Sequence, residues 1–512
     1  MRQRKVLRRD VLKGGLAAGG LALARRSFGL ASACSDVVKT GLGALQGACA
    51  GDLRVFRGIP FAAPPVGKLR FRPPAAPAPW TGVRDATRFA AAALQPGEPA
   101  LPQSEDCLYL NLWAPAGKGP FPVYVWIHGG GFTGGHAFEP VFDGSMLARE
   151  GVVCITVAYR LGVLGFLDVE PLLGAEYAGS ANNGLRDLMA ALTWVQQNVQ
   201  QFGGDPRRVT IGGESAGAKL TDLLLGSDAA AGLFSQAISE SGGAERIWPR
   251  QNALKIGEAF GAIFRQSSGV AEPSLLTAPG ETLLIAQKRL MNEWPQHFPL
   301  RPEIDGTLFS ELPVKAIAAG SGRGKRLLIG SNRDESALFV GPQPDHDASP
   351  AELGNLPRTE FLPVYAKYAG IYQGMTAAQR RIRALTAEEY WIPTLRVAEA
   401  QVAGGGSVWM YRLDFAEARG RLAGYAYHSL DVGLVWDRPH RGIGNDSAEA
   451  DLAATMHAAW VAFLHGQTPA APALPEWPAY RLETRETMIL DVQSRVEQQP
   501  QRAEMELWRG VL

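Results

Sequence analysis

Gly212-Gly213-Glu214-Ser215-Ala216-Gly217 is the stretch whose residue types and spacing could make a nucleophile. Val209-Thr210-Ile211 before it reads as a buried strand, and residues 218–225 after it read as a helix. Strand, Gly-x-Ser-x-Gly and helix form the context of a nucleophile elbow. Such a turn strains the backbone at Ser215 and crowds its flanks, so only small residues fit at Gly213 and Gly217. It would lift Ser215 Oγ clear of the sheet, at a helix N-terminus whose dipole favours developing negative charge. With 59 glycines in 512 residues the hexad also arises by chance, so the reading depends on what else the chain supplies.

A serine hydroxyl needs an adjacent base, and histidine titrates near working pH. His428, in Tyr427-His428-Ser429-Leu430-Asp431, falls in a loop after an apolar run at residues 408–413. The other histidines are His128, His136, His297, His346, His440, His457 and His465; the last two fall in a C-terminal helical segment that suits a packing or surface role. The base needs a carboxylate to fix its tautomer and stabilise its charged form. Glu335 follows the run at 327–330, with Asp334 as its rival one residue away. A tetrahedral intermediate needs backbone N–H donors. His128-Gly129-Gly130-Gly131 ends another apolar run, so Gly130 and Gly131, with the N–H of Ala216, could supply three.

The elements that must hold these groups are strands alternating with helices. Residues 122–128, 152–159, 209–211, 237–241, 326–330 and 408–413 are nearly continuous apolar runs, as strands buried on both faces require. Residues 108–113 alternate and predict a half-buried strand. Apolar spacing over 185–198 predicts a helix, with Asn183 as a cap. The fold class is α/β: a central, mostly parallel twisted sheet with helices on both faces. Pro and Gly in 56–67 predict an edge hairpin and an ordered loop. The less regular stretches 246–319 and 341–403 predict helical insertions over the site.

The N-terminus is read separately. Leu7-Arg8-Arg9-Asp10-Val11-Leu12-Lys13 resembles a twin-arginine export signal, and Ala31-Ser32-Ala33 a cleavage site. The expected division is a cleaved signal at 1–33 and one domain at 34–512, exported to the periplasm or beyond by the twin-arginine machinery. A lipid anchor on Cys34 is the lesser alternative, because Ala31 stands where a lipoprotein signal carries leucine. Arg25 and Arg26 break the only apolar stretch there, so no stable membrane span is expected. Without the first 33 residues the formal charge of +1 becomes about −6; no basic stripe with interleaved aromatics points to nucleic acid. Four cysteines are too few for a disulfide scaffold, and no His/Cys spacing suggests zinc.

Further stretches carry a resemblance. Phe56-Arg57-Gly58-Ile59-Pro60-Phe61-Ala62, Ser104-Glu105-Asp106-Cys107-Leu108-Tyr109-Leu110-Asn111, Tyr159-Arg160-Leu161-Gly162-Val163-Leu164-Gly165-Phe166 and Phe202-Gly203-Gly204-Asp205-Pro206 resemble, with the serine hexad, the type-B carboxylesterase/lipase family. This is the cholinesterase-like branch of the α/β hydrolases, whose chain order of Ser, acid and His is met by Ser215, Glu335 and His428. The resemblance implies an α/β-hydrolase fold and a serine esterase acting on small-molecule esters without cofactor or metal. It implies Ser215 as nucleophile, Glu335 as acid, His428 as base and Gly130, Gly131 and Ala216 as oxyanion hole. It also places Ser241 and Glu214 beside the triad. A lipase or polyesterase of the same fold, or a non-catalytic binding relative, are the alternatives. The chain departs from the family where residues 90–93 lack the usual cysteine, so Cys107 is expected to be an unpaired thiol. Residues 93–107 also lack the tryptophan that binds choline by cation–π attraction, which argues against choline esters.

Overall fold

The computed structural model describes residues 37–97, 102–269, 274–341, 356–437 and 447–511. Residues 1–33, Cys34, His346 and His440 lie outside these, so the expectations placed on them are not addressed by the fold.

Eleven strands of the described residues make one sheet. In chain order they are β1 (Ala48–Ala50), β2 (Leu53–Pro60), β3 (Tyr109–Pro115), β4 (Phe121–Ile127), β5 (Val153–Val157), β6 (Gly204–Glu214), β7 (Gln236–Glu240), β8 (Arg326–Asn332), β9 (Ser407–Leu413), β10 (Glu486–Leu490) and β11 (Arg495–Gln498). Their spatial order is β11-β10-β9-β8-β7-β6-β4-β5-β3-β2-β1. The seven strands from β4 to β10 run parallel. Antiparallel pairings occur only towards the two edges.

The apolar runs are buried on both faces because alternate residues enter different cores. On β4, Val123, Val125 and Ile127 join one cluster, with Leu185, Leu188, Leu192 and Leu220. Tyr124 and Trp126 join the other, with Trp436, Met456 and Trp460. Helices α1 (Asn183–Asn198) and α2 (Ala216–Leu225) supply the first face. Other helices are α3 (Arg250–Ser267), α4 (Gly280–Glu293), α5 (Pro313–Ala319), α6 (Ala377–Thr386), α7 (Ile392–Ala403), α8 (Leu430–Val435) and α9 (Ser447–Leu464). The last two cover the second face.

Three local expectations are corrected. The strand read as half-buried, β3, is buried along nearly its whole length, because both its faces are covered: Leu110 and Leu112 enter the large core, and Trp113 packs with Leu53, Val55 and Ala148. The segment read as an edge hairpin leading into a loop is found as β2, which pairs antiparallel with the edge strand β1; a register shift between Phe56 and Ile59 absorbs Gly58, whose φ is +66°. Asn183 begins α1 rather than capping it, and its side chain donates to the Phe71 carbonyl. Of the stretches read as insertions, α7 packs on β8 and β9 and α5 packs on α7, so these two helices belong to the scaffold.

Candidate active site

The residues singled out in the sequence follow the carboxyl ends of neighbouring parallel strands, the edge at which open α/β sheets bind ligands. The glycine run follows β4, Ser215 follows β6, Ser241 follows β7, Glu335 follows β8 and His428 follows β9. Register aligns these ends: Gly213 sits beside Ile127, Glu214 beside Glu240, and Glu240 beside Gly330.

Ser215 has φ 57° and ψ −121°, a conformation that costs a non-glycine residue about 1–3 kcal/mol. The surroundings fix it. Its N–H donates to the Glu240 carbonyl at 2.9 Å and its carbonyl accepts from Lys219 N at 2.9 Å. A Cβ at Gly213 would stand 2.4 Å from the Ile127 carbonyl oxygen, and one at Gly217 2.0 Å from the same atom. The two flanking glycines are therefore required because the elbow lies against the end of β4.

Glu335 is fully buried. Its Oε1 accepts from Ser241 Oγ at 2.5 Å and from Asn332 N at 2.7 Å, and its Oε2 lies 2.5 Å from His428 Nδ1. The imidazole packs against the rings of Tyr390 at 4.8 Å and Phe339 at 5.2 Å. The rival Asp334 points away: it pairs with Arg333 and Arg383 and accepts from Ala426 N.

The other edge of the imidazole differs from a simple triad. Nε2 lies 3.1 Å from Glu214 Oε1, which also accepts from Ser429 Oγ at 2.5 Å. Among the described residues no hydrogen bond joins Ser215 Oγ to the ring. Burial lowers the proton affinity of His428, but Glu214 and Glu335 outweigh it and the pKa is raised above the ordinary 6.5. Burial pushes Glu214 up to about 7, against the pull of His428. Below the ring, Asn332 and Tyr411 donate to Asp431, which burial raises to about 6.

The glycine loop turns back on itself, with Thr133 N and Gly134 N donating to the Gly130 carbonyl. Gly130 has φ +109° and Gly131 φ +61°. The N–H groups of Gly130, Gly131 and Ala216 donate to no backbone or side-chain acceptor among the described residues. A Cβ at Gly129 would stand 3.2 Å from Ser215 Cβ, so loop and elbow are in contact. A Cβ at Gly131 would stand 2.8 Å from the Phe298 ring, which forms an apolar wall there.

Four other described histidines have different surroundings. His128 is buried, its ring stacked on Tyr159, and burial lowers it to about 4; His136 is likewise lowered to about 4 by burial. His457 Nδ1 meets the Val435 carbonyl in the interior and His465 Nε2 the Glu150 carbonyl at the surface, within the packing or surface roles expected of them. Sequence reasoning passed over Lys219, although a lysine in a helix otherwise made for burial was a visible signal.

A strained serine between two strands' ends, backed by a glycine loop with free N–H groups and a buried Glu–His pair, defines an α/β hydrolase. Comparison with known proteins narrows the class. The chain belongs to the carboxylesterase family, whose sequence model matches residues 34–508. It is 38% identical over 484 residues to the para-nitrobenzyl esterase of Bacillus subtilis (strain 168), spanning 91% of this chain and 97% of that protein. It is 36% identical over 468 residues to the fumonisin B1 esterase of Sphingopyxis macrogoltabida, spanning 86% and 83%. Among solved structures, a PNB esterase superposes with a TM-score of 0.81 at 35% identity, covering 93% of this chain and 100% of that one. A Geobacillus stearothermophilus carboxylesterase also gives 0.81 at 35% identity, covering 92% and 99%. The fold and the family expected from the sequence are thus found, and the protein is a carboxylic ester hydrolase.

Proposed function

We propose that the protein hydrolyses small-molecule carboxylic esters through an acyl-enzyme on Ser215. His428 takes the hydroxyl proton as Ser215 attacks the carbonyl and returns it to the departing alcohol; water then cleaves the acyl-enzyme by the reverse sequence. Glu335 holds the tautomer and stabilises the imidazolium. Gly130, Gly131 and Ala216 bind the oxyanion, Ser241 steadies Glu335, and Glu214 shares the Nε2 edge with the nucleophile. The observation that carries this reading is the 2.5 Å contact of Glu335 Oε2 with His428 Nδ1, in a site whose serine is strained and faced by undonated N–H groups. Nucleophile–base hydrogen bonds are commonly long in free enzymes and tighten with substrate. A fluorophosphonate should leave one covalent adduct, on the peptide carrying Ser215; an adduct elsewhere, or none, overturns the assignment.

We also infer a single catalytic domain over 34–512, exported after loss of residues 1–33 by the twin-arginine route. Supporting it, Cys49 is disulfide-bonded, as oxidising compartments allow, and no helix of the described residues is long and apolar enough to cross a membrane. Replacing Arg8 and Arg9 by lysine should trap unprocessed chain in the cytoplasm; normal export of that variant would reject the route.

A further inference from the structure

Lys219 lies one helical turn beyond Ser215 in α2, a helix in which every residue is buried. An ammonium in such a place must be fully partnered. Its Nζ is 3.0 Å from the Gly242 carbonyl oxygen, 3.4 Å from that of Ser241 and 3.4 Å from Glu389 Oε1. It also stands 4.6 Å from the centre of the Tyr390 ring. These contacts lead to the catalytic groups in one further step. Ser241 Oγ donates to Glu335, and the other side of the Tyr390 environment is the His428 ring. Glu389 and Tyr390 sit on a widened π-helical turn at Ala387–Trp391, a local distortion frequent at functional sites.

We propose that Lys219 is a positioning residue of the esterase: its buried ammonium clamps the turn carrying Ser241 and Gly242 together with the Tyr390 ring, and through them aims Glu335 and His428. This rests on the triad reading given above. The charge has a second effect. Lys219 is faced by Glu389 and Tyr390 from the widened turn, Arg246 from the loop after β7, Asp222 from its own helix, Glu335 from beyond β8 and Glu214 from the end of β6. Burial and then Arg246 lower it to about 7, while Glu335, Asp222 and Glu214 pull the other way. As a cation near the imidazole, it opposes protonation of His428, against the stronger opposite pull of Glu214 and Glu335.

Lys219→Met keeps the length and volume and removes the charge. It is expected to lower kcat about 10- to 100-fold with KM within about twofold, as small misplacements of catalytic groups do. The acid limb of kcat/KM should also move up by about half a pH unit or more, because the imidazole loses a neighbouring cation. Lys219→Gln restores a donor to the two carbonyls without charge; it should recover most of kcat and keep the displaced limb. A folded Lys219→Met with wild-type kcat and limb overturns the proposal. So does a loss of kcat with the limb unmoved in both variants, which a purely structural role would give. If Lys219→Met does not fold, the limb of Lys219→Gln decides alone. Failure of the triad itself would be seen separately, as absent fluorophosphonate labelling of Ser215 in the unaltered protein.

Discussion

Nε2 of His428 faces Oε1 of Glu214 at 3.1 Å, on the edge opposite Glu335. The imidazole is thus held between two carboxylates, and the cation form is favoured over the neutral form that must accept a proton. Activity should fall as pH drops through a limb above 6.5, because the folded-state pKa of His428 is raised. Glu214→Gln removes one of the raising charges, so its limb should move to lower pH, by about half a unit to one unit. The limb belongs to the coupled group rather than to one residue. A pH–rate profile of kcat/KM for both proteins checks it; an unmoved limb would mean that Glu214 does not act on the ring.

Removing either end of the relay has a larger effect. Ser215→Ala should cost about four to six powers of ten in kcat, since the remaining site offers only binding and oxyanion stabilisation. Glu335→Gln should cost about 10⁴, because an amide cannot stabilise the imidazolium and can hold the wrong tautomer. Its buried partners, Ser241 Oγ and Asn332 N, still find an acceptor, so the fold should persist. Steady-state kinetics beside a circular-dichroism melt separate the two effects; Asp334→Asn should leave the acid limb alone, because that side chain is engaged by Arg333 and Arg383.

The candidate site residues were legible because each is tied to a backbone feature that residue types encode: glycines where β4 meets the elbow, and apolar runs whose ends align in a parallel sheet. The order Ser, acid, His admits Asp334 as well as Glu335, so the choice of Glu335 came from the family resemblance; in the structure Asp334 is engaged by Arg333 and Arg383 and Glu335 meets His428. What stayed hidden depends on contacts between distant segments. Glu214 meets Ser429, 215 positions away, beside its contact with His428 Nε2, and Lys219 meets Glu389 on a turn far along the chain. Whether 313–319 and 392–403 were scaffold or insertion was equally a question of packing, which irregular spacing does not answer.

The two free cysteines among the described residues should be silent in the native protein. Cys107 and Cys154 are buried and unpaired, and burial raises both thiols far above their usual range. Thiolate, not thiol, reacts, so a disulfide reagent should titrate neither until the chain unfolds. Ala93, in the stretch where the resemblance noted the missing cysteine, lines the same small cavity as Cys107, with Phe71 and Leu161. Rapid reaction of one thiol in native buffer would show that this region opens readily.

Two glycine substitutions should fail in different ways. Gly217→Ala puts a Cβ 2.0 Å from the Ile127 carbonyl oxygen, between backbone segments that have no room to separate. Overpacking of this kind costs about 1–3 kcal/mol or more, so reduced soluble yield and a lowered melting temperature are expected. Gly131→Ala meets a side chain instead, the Phe298 ring at 2.8 Å, at a φ of +61° that alanine resists. The ring has freedom to shift, so the fold should survive while the Gly131 N–H loses its aim at the oxyanion. Loss of one such donor costs about 10²–10³ in kcat. Melting curves and kcat measured on both variants decide this: an unfolded Gly131→Ala, or a stable and inactive Gly217→Ala, would reverse the roles assigned to the two glycines.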